Sequence, residues 1–153
     1  MARYFIDCEF DGHNGPLLSM AIVAEEDGFG MHMQTFEKPN DPWVAANVMP
    51  FMLEHNAHIA FACPEEEFGE QLQHVLKGDD APIIVADSPV DIARFCKAIS
   101  TGNDGEWVST NYARMTFEVH NVDCYPTTLE GAVQHNAWWD AMALREKLRS
   151  NAS

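Results

Sequence analysis

Apolar and polar positions follow two different rhythms along this chain. In the first third the apolar residues fall in short β-rich runs, ARYFIDCEF, LLSMAIVAEE and GMHMQTFEK, separated by the turn signals DGHNGP and EDGFG. That pattern predicts an antiparallel meander of three strands. Helical spacing then takes over. Pro42 opens DPWVAANVMPFMLEH, where Trp43, Asn47 and Phe51 recur on one face and proline suits the first turn. A second helix is predicted in CPEEEFGEQLQHVLKG, with acids in its first turn and Lys77–Gly78 at its end. The run IIVA reads as a buried strand, and from Ser88 onward Val90, Ala93, Phe95 and Ile99 keep helical spacing behind a Ser88 or Asp87 cap. One further strand is expected within GEWVSTNYARMTFEVHNVD, and HNAWWDAMALREKLRSN reads as a closing helix. The predicted fold class is α/β: a mixed sheet, three antiparallel strands plus later parallel ones, flanked by helices.

Size and composition narrow the picture. A length of 153 residues with 46% apolar residues predicts a single domain, 1–153, with its own core. No apolar run approaches the roughly 20 residues of a membrane span. Acids interrupt the first apolar run at once, unlike a signal peptide. Cys8, Cys63, Cys96 and Cys124 show no C-x-x-C pairing, so a structural zinc site is not indicated. Reduced cysteines and a cytoplasmic location are expected. Charge changes the picture more. Twenty-four acids against nine Lys and Arg give a net charge of −15, which disfavours long duplex nucleic acid as a partner.

Against that background the opening RYFIDCEFDG poses a problem, because Asp7, Glu9 and Asp11 repel one another unless something positive sits among them. A calcium loop of the EF-hand type is excluded. The twelfth position from Asp7 is Leu18 rather than Glu, and the preceding RYFI reads as strand rather than helix. In a strand, Asp7 and Glu9 at i and i+2 project from one face, where a divalent cation would stabilise them. A second D-x-E, Asp104-Gly105-Glu106, lies in a glycine-rich turn without a rigid strand behind it. Near the other end, His135 and Asp140 stand five apart at the mouth of the last helix, within H-x-A-x-x-D-A. A histidine there suits a general base, its ordinary pKa lying near neutrality. Between these, ADSPVDIARF carries Asp87 and Asp91 where a strand enters a helix; capping is the simpler role for Asp87.

D-x-E, a later Asp and a final H-x-x-x-x-D occur in the order found in the DEDDh exonucleases of the ribonuclease H-like fold, which the chain resembles from Asp7 to Asp140. That superfamily includes oligoribonuclease, ribonuclease T and the proofreading subunit of bacterial DNA polymerase III. WVAANVMP gives a further likeness to the small stand-alone 3′–5′ exoribonucleases of the mycobacterial type. The resemblance implies a 3′–5′ exonuclease that releases nucleoside 5′-monophosphates from single-stranded RNA or short oligonucleotides. It implies Asp7, Glu9, Asp91 and Asp140 as ligands of two Mg²⁺ or Mn²⁺ ions about 3.5–4 Å apart, with Asp7 bridging and His135 as base. VDIARF aligns with the middle motif and favours Asp91 over Asp87. Phe10-Asp11-Gly12 departs from the Thr and glycine-leucine wedge of many relatives. A homodimer is expected on the same ground.

Phe10, Trp43, Asn47, Arg94 and Trp138 are the candidate substrate contacts, the aromatics as base platforms, with core packing the simpler role for Phe10, for Trp43 and for one of Trp138 and Trp139, since adjacent helical residues do not face one site. Arg94, Lys97, Arg145, Lys147 and Arg149 lie on the two helices carrying Asp91 and Asp140, and could form a phosphate strip on an acidic body. His55-x-x-His58 reads as a solvated pair, and Met20, Met31, Met33, Met49 and Met52 as packing. Rival readings are a single-strand DNA exonuclease, a non-catalytic binding or regulatory module on the same fold, and a sugar- or metal-binding α/β domain.

Overall fold

The structure, a computed structural model, describes residues 1–52, 57–102, 106, 112–123 and 125–151. The meander forms as its alternation predicts: β1 (Arg3–Phe10), β2 (Leu17–Ala24) and β3 (Gly30–Gln34) are successively antiparallel. Next come α1 (Pro42–Asn47), β4 (Ile59–Ala62), α2 (Phe68–Val75), β5 (Ile83–Ala86), α3 (Pro89–Ser100), β6 (Thr116–Val119) and α4 (Ala137–Asn151). One six-stranded sheet results, in the order β4-β3-β2-β1-β5-β6, with β5 parallel to β1, β6 to β5 and β4 to β3.

Side-chain alternation in β1 divides the core. Ile6 and Cys8 join Phe68, Leu72, Phe95 and Ile99 beneath α2 and α3, whereas Phe5 on the other face joins Trp138, Ala141 and Leu144 of α4. Asp7 and Glu9 share the face of Phe5, so the acids emerge on the α4 side. β2 lies inside the sheet with both faces covered, which is why its LLSMAIVA run lacks polar alternation.

Two predicted elements differ. α1 stops at Asn47 instead of running to His55. Pro50 has no N–H and pushes the residue before it away from helical geometry, and the Asn47 amide turns back onto the Trp43 carbonyl at 2.9 Å. β4 was not predicted: four residues at a sheet edge with mostly exposed side chains leave no alternating signature. His55 lies outside the described residues, as do Asp104 and Gly105 of the second D-x-E. No helix among the described residues is long and apolar enough to cross a membrane.

Candidate metal centre

Four elements bring acids together at the C-terminal ends of β1 and β5. The β1–β5 register pairs Phe5 with Val85, and continuing it brings Asp87 level with Asp7. The turn into α3 delivers Asp91. Ser88 caps that helix, its hydroxyl accepting from the Val90 amide at 3.1 Å, and Asp91 sits in the first turn beside the positive helix end. Across the sheet α4 supplies Asp140 from its own first turn. Its cap is Asn136, fully buried, whose side-chain oxygen accepts from the Trp138 and Trp139 amides at 3.1 and 3.3 Å while its NH₂ donates to the Phe51 carbonyl at 2.7 Å. The Asn136 amide in turn donates to the Asp140 carboxylate at 3.2 Å.

The acids form two triads with one shared member. Asp7, Glu9 and Asp140 present carboxylate oxygens within 4.8 Å of one another, and so do Asp7, Asp87 and Asp91. Asp91 is buried and the other four are half-buried. Burial and mutual repulsion hold the protons on Asp7, Glu9, Asp91 and Asp140. Asp7 is raised well above the usual carboxylate range by burial, then by Asp140, Asp91, Glu9 and Asp87. Burial lifts Glu9 to about 8, with Asp140 and Asp91 adding to it. Asp91 and Asp140 each reach about 7, mainly through burial. Bonds from the Cys8 thiol and backbone pull Asp91 partly back, and backbone bonds from Asn136 and His135 do the same for Asp140. Arg94 is a cation that offsets Asp91, and it is not enough to let the cluster ionise freely. Hard oxygen donors, largely buried, close together and charge-frustrated, could hold a metal ion.

No protein-family model matches the chain, and no curated protein is significantly similar to it. The site therefore rests on its own geometry.

The structure places the remaining candidates as follows. His135 is in neither triad. It has left-handed backbone, φ 60°, directly before the α4 cap, and its ring meets the Trp43 ring edge-on with centroids 5.2 Å apart. Trp43 is 55% exposed and remains free to meet a base. Asn47 is spent on the Trp43 carbonyl. Phe10 carries the Arg94 guanidinium 4.2 Å above its ring. Trp138 is a correction: at 3% exposure it belongs to the core, over Gly30, where an added Cβ would come within 2.3 Å of the indole. Trp139 is buried beside it, so neither ring is a base platform.

For Arg145 and Arg149 the phosphate strip is corrected as well. Arg145 is 6% exposed and donates to the Glu25 carbonyl at 2.9 Å, to Glu26 and to the Glu146 carboxylate, and Arg149 reaches the Glu25 carbonyl at 3.4 Å. Both clamp α4 to the β2–β3 turn, away from the acids. His58 stacks on Phe29 at 5.2 Å and is not simply solvated.

Asp11, third of the crowded acids, has a structural role. It is nearly buried, accepts from the Asn40 and Asp41 amides at 2.7 and 2.9 Å, and is held below the usual carboxylate range by those bonds. Asp87 was set aside as a cap; Ser88 takes that role and Asp87 joins the centre. Its place directly after a buried strand was the available signal. Ser19 gave no signal. It lies on β2 opposite Glu9, fully buried, its hydroxyl without a hydrogen-bond partner among the described residues.

Proposed function

We propose that this protein is a divalent-metal-dependent 3′–5′ exonuclease of the DEDDh type on a ribonuclease H-like fold, acting on single-stranded RNA or short oligonucleotides. One observation carries this reading: two carboxylate triads that share Asp7. A single-ion site needs no shared ligand, whereas a pair of ions clamping one phosphodiester does. The meander joined through β1 to parallel strands supports the fold assignment.

Asp7 would serve both ions, with Glu9 and Asp140 completing one set and Asp87 and Asp91 the other. The cations, when bound, supply Lewis acidity toward the phosphodiester and neutralise the acids. His135 accepts the proton of the attacking water on its imidazole. Its left-handed backbone is a conformation that histidine adopts more readily than most residues. Trp43, exposed and touching the His135 ring, stacks the terminal base. Water adds to the terminal phosphorus, the bond to the preceding 3′-oxygen breaks, and a nucleoside 5′-monophosphate leaves.

The test is digestion of 5′-labelled single-stranded RNA and matched DNA with Mg²⁺, Mn²⁺ or EDTA, beside Asp7→Ala and His135→Ala. A metal-dependent ladder shortening from the 3′ end, absent in both variants, is expected, and RNA is expected to be the faster substrate. Mn²⁺ binding without cleavage of either strand would replace this reading with that of a non-catalytic module.

A further inference from the structure

Beside the acidic centre lies a cavity of about 460 Å³ between the β1–β2 turn and α3. Its lining carries two cations, Arg94 and Lys97, beside His13, and includes no acidic residue. In a chain of net charge −15 that is a pronounced local reversal. We propose that this cavity seats a backbone phosphate of a single nucleic-acid strand whose 3′ end lies at the acidic centre. The placement of the 3′ end rests on the exonuclease reading; the phosphate seat does not.

Arg94 is already organised for the task. Its guanidinium rests on the Phe10 ring at 4.2 Å, and one Nη donates to the Gly15 carbonyl at 2.8 Å. The other N–H groups have no partner among the described residues, and a planar fork so held suits a phosphate. Among the described residues Lys97 pairs with the Glu65 carboxylate alone, at 3.1 Å, and its side chain is 71% exposed. So exposed a pair exchanges readily for a phosphate. Spacing supplies direction. Asp91, Arg94 and Lys97 recur every third residue on α3, each step advancing about 4.5 Å along the axis. A strand leaving the triads at Asp91 meets Arg94 and then Lys97. A duplex would bring its second strand against the acidic body, so one strand is the fitting occupant.

The test measures binding without hydrolysis. Fluorescence anisotropy of a 5′-labelled decanucleotide is followed against salt concentration, with Ca²⁺ present and the strand's length checked on a gel. Lys97→Gln and Arg94→Gln are each expected to weaken binding severalfold and to flatten the slope of log K against log salt by about 0.7, the double variant by about 1.4. Because Arg94 also holds Phe10 and Gly15, Lys97→Gln is the decisive variant should Arg94→Gln melt early. Unchanged affinity and slope in Lys97→Gln and the double variant would overturn the proposal, as would inorganic phosphate displacing the strand at equal phosphate concentration. Loss of binding in these variants from a wild type that cleaves nothing would remove the exonuclease reading and keep the seat.

Discussion

Replacing Glu9 by Gln should stabilise the metal-free protein, although Glu9 stands at the heart of the candidate centre. Without a cation the Glu9 carboxyl titrates at about 8 instead of its ordinary 4.5, burial being the main cause and Asp140 and Asp91 following. A raised acid favours the folded state fully below its unfolded pKa, and the advantage disappears as pH climbs through the folded value. The window for Glu9 thus runs from 4.5 to about 8. At about 1.4 kcal/mol per pKa unit, ionising this one group in the fold costs roughly 4 kcal/mol by pH 8. Asp91 and Asp140, each near 7, lose their advantage between 3.8 and about 7 in the same field, so the three contributions do not add. Gln at position 9 cannot ionise and also removes a negative charge from beside Asp7. In EDTA at pH 8, Glu9→Gln should exceed wild type by about 2–4 kcal/mol in denaturant unfolding followed by circular dichroism, and at pH 5 the gap should shrink below about 1 kcal/mol. Saturating Mn²⁺ should reverse the order at pH 8, because ligand binding to the folded state favours the variant with all its carboxylates. Metal-free wild type equally stable at pH 5 and pH 8, with no gain from Gln, would refute the reasoning that these acids are frustrated by one another.

Metal stoichiometry should follow the triads: calorimetry with Mn²⁺ is expected to give two ions for wild type, one for Asp140→Asn or Asp87→Asn, and none for Asp7→Asn. Two ions retained in Asp87→Asn would exclude that residue from the centre. Asn136→Ala removes a helix cap and the Phe51 contact together, and should cost about 2 kcal/mol of stability with a weaker Mn²⁺ affinity, read by melting with and without metal. Ser19→Ala deletes a buried hydroxyl without a hydrogen-bond partner among the described residues, so unfolding should change by less than about 1 kcal/mol; a larger loss would mean that the hydroxyl bonds Glu9.

Local order was legible where chemistry and spacing coincide. Asp7 and Glu9 follow from strand alternation, Asp140 from its place at the mouth of a predicted helix, and the meander from its turn residues, whereas the choice of Asp91 over Asp87 comes from the family resemblance alone. What depends on the azimuth of a packed helix was not. Nothing in AWWDAMALREKLRSN says that both tryptophans face the sheet or that Arg145 reaches back to the β2–β3 turn. Asp87 required the β1–β5 register, a pairing between residues about eighty positions apart. The edge strand β4, largely exposed, takes its order from β3 rather than from its own pattern.

Asp7 lies on the first strand and Asp140 on the last helix, so the centre has a temporal consequence. Chains emerge from the ribosome N-terminus first. β1 can pair with β2 early, but its other neighbour, β5, comes some eighty residues later, and α4 closes over Phe5, Ala21 and Val23 last of all. Until α4 has emerged, one face of the sheet lacks its cover and the first triad lacks Asp140. The full cluster of acids is therefore absent from a nascent chain until α4, which carries Asp140, has emerged and docked.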